Sequence, residues 1–136
     1  MTWSNAELDY EGLPLLLRKP DYQNILQFKS KFTKLVAIVH HLEMVDKLGL
    51  PKKSYNSKIS KFDDYMCDLF TVTNDGIIFL IETFNGNRTY YYYCDNTLVI
   101  DTLADKIRSK FDFDIEVMSQ DDVEWSFLHN YPIDFT

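Results

Sequence analysis

The stretch from Gly76 to Asp95 holds two runs of β-branched and aromatic residues on either side of Asn85-Gly86. Asn-Gly suits a two-residue turn because both central positions of that turn need a positive φ angle. The pattern therefore predicts a β-hairpin. Its predicted register pairs Phe84 with Asn87, Ile81 with Tyr90 and Phe79 with Tyr92.

Both faces of this hairpin are largely apolar or aromatic, so we expect it to lie inside a larger sheet. The near-continuous apolar run 34–42 is typical of a central strand that is covered on both sides. Residues 13–18 predict a short strand, with Pro14 at its start, where a missing hydrogen-bond donor matters least. Residues 1–12 are polar and are expected to form an N-terminal arm.

Apolar residues at helical spacing predict one helix over 55–70 and a second over 97–110. Apolar and acidic residues then alternate over 111–117, which predicts a half-buried strand. A short C-terminal helix is expected over 123–128. The acidic side chains that should point away from the core of the last strand are Asp112, Asp114 and Glu116.

From residue 34 onward the predicted order is strand, helix, hairpin, helix, strand. This order predicts an α+β fold, a ferredoxin-like (split βαβ) sandwich with an antiparallel sheet, plus an extra N-terminal strand and a C-terminal helix. We expect one domain over 1–136. In such a sandwich both helices cover one sheet face, so the acidic row should share the open face with Glu82, Tyr91 and Tyr93. The N-terminal strand and the C-terminal helix could extend the sheet or cover part of that face.

Several short motifs carry a family resemblance. They are Gly49-Leu50-Pro51, Phe62-Asp63-Asp64, Gly86-Asn87-Arg88 running into Tyr90 to Tyr93, and the acidic pair before Trp125 with Tyr131 beyond. On these motifs the chain resembles the domain of unknown function 695 family over roughly residues 13–131. That family has no established activity, so it implies no catalytic residues. It is distantly similar to the protein regulators of ribonuclease E, which are acidic, ferredoxin-like and act by binding an enzyme.

The formal charge of −7 is concentrated at one end of the chain, because residues 101–136 carry nine acids and three bases. Such a surface repels phosphate backbones, which argues against direct nucleic-acid binding, and it attracts a basic partner. No apolar run is long enough for a membrane helix. Two cysteines without an export signal favour a reducing, cytoplasmic setting.

Catalytic and metal chemistry have little support in the sequence. Cys94 beside a histidine could form a nucleophile–base pair, but a buried free cysteine is more often a small apolar side chain. The acids along one strand form a stripe rather than a coordination cage, so we expect no metal and no other cofactor. Arg88 is expected to pair with a carboxylate or to stack on an aromatic ring.

An acidic surface that carries tyrosines is typical of protein recognition. We therefore expect a non-enzymatic protein-binding module, most simply an immunity or inhibitor protein that neutralises a basic toxin such as a nuclease, and that is a monomer or a weak homodimer. The alternatives are a regulator of an endogenous RNA-processing enzyme and a small enzyme that uses Cys94 with a histidine. The predicted binding residues are Asp112, Asp114, Glu116, Asp121, Asp122, Glu124, Glu82, Tyr91 and Tyr93.

Overall fold

The computed structural model describes residues 2–136 and contains one six-stranded sheet with three α-helices. This confirms the predicted α+β class with an antiparallel sheet. The strands are β1 (Trp3–Tyr10), β2 (Leu13–Pro20), β3 (Lys34–His41), β4 (Gly76–Phe84), β5 (Asn87–Cys94) and β6 (Ile115–Asp121). The helices are α1 (Lys53–Cys67), α2 (Ile100–Lys110) and α3 (Ser126–Asn130).

The strand order in the sheet is β1-β2-β4-β5-β3-β6, and each strand pairs antiparallel with its neighbours. Helix α1 joins β3 to β4, and α2 joins β5 to β6. Strands β1 and β6 therefore form the two edges of the sheet, while the tyrosine-rich β5 lies in its interior. Across residues 2–136, no helix combines the length and the apolar character needed to cross a bilayer.

Residues 3–10 form a full strand, so the expected N-terminal arm over 1–12 is wrong for the part that the structure describes. Strand β1 pairs with β2 along its whole length, through a turn at Glu11 and Gly12 with φ angles of 52° and 80°. The sequence carries no alternation here because this edge strand is exposed along almost all of its length. An edge strand with polar side chains resists pairing with other chains.

The β4–β5 hairpin turns at Asn85 and Gly86 as predicted, with φ angles of 47° and 88°. Its register agrees with the prediction from the turn as far as the pair Ile81–Tyr90. Beyond that pair a β-bulge shifts the register, so that Ile78 rather than Phe79 lies opposite Tyr92. A bulge adds one residue to one strand and reverses the alternation beyond it. The side chain of Phe79 consequently packs on the opposite face of the sheet from its predicted one.

The two faces of the sheet bury two separate apolar clusters. Helices α1 and α2 cover the first face, where Phe62, Tyr90 and Ile107 lie in one cluster. The second face was expected to be open, and this expectation is wrong. Trp125, Leu128 of α3 and Phe135 of the C-terminal segment cover it, packing with residues such as Phe79 and Tyr93.

Gly49 brings the loop before α1 against the β4–β5 turn. The backbone amide of Gly86 donates to the carbonyl of Gly49 at 2.8 Å. A Cβ atom on Gly49 would lie only 2.6 Å from the Cα atom of Asn85. Because backbone rather than a flexible side chain blocks this position, no other residue fits without moving the turn.

Gly49→Ala should therefore destabilise the protein more than Gly12→Ala. The two glycines have nearly equal φ angles, 79° and 80°, but nothing lies within 4 Å of a Cβ atom at Gly12. Both variants bear the strain of a positive φ, about 1 kcal/mol. Gly49→Ala should lose a further ~1–3 kcal/mol from overpacking.

Urea unfolding of the two variants and the parent protein measures this difference. Equal losses of unfolding free energy in the two variants would contradict the close approach of the Gly49 loop to the hairpin turn.

Candidate functional site

The predicted acidic row lies at the edge of the sheet, but it does not run along one continuous strand. Strand β6 begins at Ile115, so of the three acids only Glu116 lies in it, and Asp112 and Asp114 belong to the segment before it. The predicted alternation of apolar and acidic side chains nevertheless holds, because Phe111 and Phe113 pack against the core. The three carboxylates are all exposed.

The edge formed by β6 bears several exposed carboxylates. No lysine or arginine occurs in residues 111–125. Among residues 2–136, Lys29 Nζ lies 3.8 Å from Glu124, and His41 Nε2 lies 3.7 Å from Glu116. We call this surface the acidic edge. Its exposed members are Asp112, Asp114, Glu116, Asp121 and Glu124.

Trp125, α3 and Phe135 cover the second face of the sheet, and we call them the C-terminal cover. Two of the predicted binding residues, Asp122 and Tyr93, are buried and hold this cover in place. The Tyr93 hydroxyl donates to Asp122 Oδ2 at 2.7 Å, and the tyrosine ring stacks on Trp125 with a centroid distance of 4.2 Å. Asp122 also accepts from the backbone amides of Ser126 and Phe127 at 2.8 and 3.1 Å. These side chains cannot contact a partner while α3 is in place, so their predicted exposure is wrong.

Glu82 and Tyr91 are only half-buried, but both have partners within the chain. Glu82 accepts a hydrogen bond from the hydroxyl of Tyr131. The ring of Tyr91 stacks on Phe127 at a centroid distance of 4.8 Å. Burial raises the pKa of the Tyr91 hydroxyl, and the nearby Glu82 carboxylate raises it further.

An apolar groove lies between the C-terminal cover and β6. Its volume is about 210 Å³. Tyr91 and Phe127 line it on one side, and Met118 of β6, which is 47% exposed, lines it on the other. The groove is thus an apolar surface directly beside the acidic edge.

The candidate nucleophile and its candidate bases lie far apart. Cys94 is opposite Lys34, whereas His40 is six positions further along β3, about 20 Å away at the rise of a strand. Burial raises the pKa of the Cys94 thiol well above its ordinary value. His129 lies on α3, on the other side of the sheet from Cys94. No nucleophile–base pair forms among these residues.

His40 is fully buried, and neither of its ring nitrogens has a hydrogen-bond partner within residues 2–136. Its ring packs against Phe62 and Phe113 at centroid distances of 4.9 and 5.0 Å. Burial and the positive charge of Arg88 lower the pKa of His40 to about 4. The imidazole is therefore neutral at physiological pH and acts as a packing residue.

A charged network that the sequence did not reveal lies at the hairpin end of the helix-covered face. Asp63 of α1 accepts two hydrogen bonds from Arg18, at 2.6 and 3.0 Å, and one from the hydroxyl of Tyr90 at 2.7 Å. Arg88 lies 3.5 Å from the same carboxylate, which agrees with its predicted pairing. Burial alone would raise the pKa of Asp63, but the hydrogen bonds from Arg18 and Tyr90 hold it below its ordinary value.

The sequence held a partial signal for this network, because Asp63 and Arg88 both lie in short motifs that support the family resemblance. Nothing in the sequence placed Arg18 beside them, since it is 45 residues away from Asp63. Within the described part of the chain, no three His, Cys, Asp or Glu side chains lie close enough together to hold a metal ion.

The fold and these surfaces define a small α+β protein with one antiparallel sheet covered on both faces. The chain belongs to a family of unknown function (DUF695), whose model matches residues 3–131. This confirms the resemblance and extends it to β1. No curated protein and no solved structure matches the sequence.

Replacing Asp122 with alanine should destabilise the fold, whereas the same change at its neighbour Asp121 should not. Asp122 accepts from Tyr93 and from two backbone amides, and its loss leaves these buried donors without an acceptor. We expect about 2–4 kcal/mol for Asp122→Ala, and within about 0.5 kcal/mol of no change for the exposed Asp121→Ala.

Chemical unfolding of the two variants, followed by tryptophan fluorescence, measures both values because Trp125 lies next to the substituted site. Equal stability of the two variants would contradict a structural role for Asp122.

The burial of His40 should make stability depend on pH. Its pKa in the folded state, about 4, is below the ordinary value of 6.5. As the pH falls below 6.5, the unfolded chain takes up a proton that the folded protein rejects, so stability falls until about pH 4. The loss over this window is about 3 kcal/mol.

His40→Leu should remove this part of the pH dependence, and His41→Leu, at a half-buried position, should keep it. Unfolding free energies measured at intervals from pH 7 to pH 4 test the difference. Carboxylates such as Asp63, with a lowered pKa, add their own loss at the acid end in every variant. Parallel curves for His40→Leu and the parent protein would refute the assignment.

Proposed function

We propose that this protein is a non-enzymatic binding module that uses the acidic edge to hold a basic protein partner. The partner that fits best is a basic toxin such as a nuclease, which makes the protein an immunity or inhibitor protein. The observation that carries the proposal is the acidic edge itself: five exposed carboxylates on and around β6, in a stretch without lysine or arginine.

Charge and apolar surface have different roles in such a contact. Exposed carboxylates accelerate encounter with a basic partner and discriminate against acidic ones. Affinity comes mainly from a few apolar or aromatic anchors in a desolvated centre. The groove between Tyr91, Phe127 and Met118 offers a place for one such anchor, directly beside the charges.

The position of the acids at a sheet edge also supports the proposal. An unpaired edge strand exposes backbone donors and acceptors to other chains. Like charges on two copies of this edge repel, so self-pairing is weak and the protein is a monomer or a weak homodimer. A basic segment meets the opposite situation, because its charge is complementary to the same edge.

A nuclease is a suitable class of partner because its substrate site is built to bind phosphate groups. Carboxylates spaced along β6 and the segments beside it can occupy the positions of several phosphates and so block that site. The same negative surface disfavours direct binding of nucleic acid. No cofactor is needed for this mode of action, and the proposed location is the cytoplasm, as expected for two free thiols.

We further infer that the four strands from β3 onward form a ferredoxin-like unit. Their order in the sheet is β4-β5-β3-β6, with α1 and α2 in the two crossovers. A split βαβ arrangement has this order and these connections. The β1–β2 hairpin then extends the unit beyond β4, and α3 covers its second face.

There are two alternative functions. A regulator of an endogenous RNA-processing enzyme would use the same acidic edge, so only the identity of the partner separates it from an immunity protein. An enzyme that uses Cys94 with a histidine has less support, because Cys94 is fully buried and distant from His40 along the sheet.

Changing Asp112, Asp114 and Glu116 together to lysine should abolish capture of the partner. The immobilised protein is exposed to extract from its own cells at low salt, and bound proteins are identified by mass spectrometry. The triple variant should lose a basic protein that the parent retains, and its binding should weaken by about 2–4 kcal/mol. Raising the salt concentration should release the same protein.

The matched control changes three exposed acids elsewhere, Asp9, Asp75 and Asp105, to lysine and so alters net charge equally. It should retain the partner. The captured protein is then purified, and its nuclease activity is titrated with the parent protein. Capture by the control but not by the triple variant supports the acidic edge, whereas equal capture by both variants refutes it. Capture of an RNA-processing enzyme that stays active would favour the regulator.

A further inference from the structure

A cleft of about 440 Å³ is lined by residues of β1, β2, β4 and β5. It lies on the helix-covered face of the sheet, where the β1–β2 hairpin extends past α1. Arginine side chains from two different strands, Arg18 of β2 and Arg88 of β5, reach it. Its other lining side chains include Asn5, Glu7, Leu16 and Thr83.

The two guanidinium groups share only one carboxylate. Arg18 donates twice to Asp63, and Tyr90 donates to the same group, so the capacity of Asp63 is largely used. Arg88 reaches it only at 3.5 Å. The network of Arg18, Arg88 and Asp63 thus carries a formal charge of +1 in a protein whose net charge is −7.

Hydrogen-bond donors in this network remain available. Arg88 uses Nε on the Thr83 hydroxyl oxygen at 3.0 Å and Nη1 on Asp63. Among residues 2–136, the hydrogen bonds of Arg18 come from Nη1 and Nη2 and those of Arg88 from Nε and Nη1, which leaves Arg18 Nε and Arg88 Nη2 without an acceptor. The Thr83 hydroxyl accepts from Arg88, and its own hydrogen is free to donate.

Glu7 is the one other acid in the cleft lining, and it does not neutralise the arginines by direct contact. It is exposed on edge strand β1, and no ion pair within 4.0 Å joins it to Arg18 or Arg88 in the described part of the chain. The fully buried His40, directly opposite Arg88 in the sheet, lacks a partner and is neutral at physiological pH. The excess positive charge therefore faces the cleft.

We propose that this cleft binds a small organic anion, whose oxyanion group is held by Arg88, Arg18 and the Thr83 hydroxyl. Guanidinium groups bind carboxylate and phosphate oxygens through paired N–H donors. The apolar remainder of the ligand lies against Leu16. The site is separate from the acidic edge, at the other side of the sheet, and it does not depend on the proposed protein partner.

The site is tested by NMR, which records the Nε–H signals of the arginine side chains in the protein. The ionic strength is kept constant, with chloride as the balancing anion. Inorganic phosphate and hexanoate are titrated separately as probes of the two oxyanion types. Saturable shifts of the Arg88 and Arg18 signals with either probe support the site and identify its preferred group. Linear, non-saturating shifts with both probes would overturn the proposal.

Two substitutions locate the binding. Glu7→Gln removes a repelling charge without touching the arginine network and should tighten binding about fivefold. Arg88→Gln should weaken it at least about tenfold, whereas Lys58→Gln, an exposed position on α1, should leave it unchanged.

If Arg88→Gln fails to fold, Glu7→Gln decides alone, because it changes only an exposed side chain. Affinity that does not respond to Glu7→Gln places the anion elsewhere and overturns the proposal. This outcome would leave the acidic edge untouched, since that surface is tested by protein capture.

Discussion

The packing of Trp125 on Tyr93 decides which parts of this protein meet solvent. The two rings are nearly parallel, with an interplanar angle of 6°, and the indole N–H donates to the carbonyl of Phe32 at 2.8 Å. Asp122 completes the arrangement by accepting from Tyr93 and from the first amides of α3. Large aromatic side chains contribute most to burial when their polar atoms also find partners. This is why a helix of only five residues can cover a sheet face.

Covering the second face removes Tyr93 and Asp122 from the surface. Two parts of the protein differ in charge. Strand β6 and the segments beside it carry five exposed carboxylates, whereas Arg18 and Arg88 meet the single carboxylate of Asp63 on the helix-covered face. The proposed anion site and the proposed protein-binding surface therefore use different residues, and the two proposals can be tested separately. The strands between them are buried and serve to hold the two apart.

Three of the short motifs that support the family resemblance meet at the hairpin end of the sheet. Gly49 lies against the Asn85-Gly86 turn, and Asp63 binds Arg88 just beyond that turn. Each motif alone is a short run of residues. In the folded protein these motifs are in contact, and together they fix the loop before α1, the helix itself and the central hairpin to one another.

The sequence alone determined the parts of the structure that depend on local chemistry. Asn85-Gly86 specified the turn because few other residues adopt its positive φ angles, and helical periodicity located α1 and α2 to within a few residues. The acidic side chains of 112–116 are exposed as predicted, since charges without partners stay in water.

Tertiary structure alone decided the remainder. The bulge at Phe79 moved the side chains in the first part of β4 to the opposite face of the sheet from the predicted one. No local sequence pattern predicts a bulge within an apolar run. The polar strand β1 forms because β2 offers it a partner, not because of its own periodicity. The sequence predicted that Tyr93 and Asp122 lie on the surface. In the structure they bind each other across 29 residues of chain and are buried under the C-terminal segment. Burial of a polar group depends on the partner that satisfies it, and that partner is fixed only when distant parts of the chain meet.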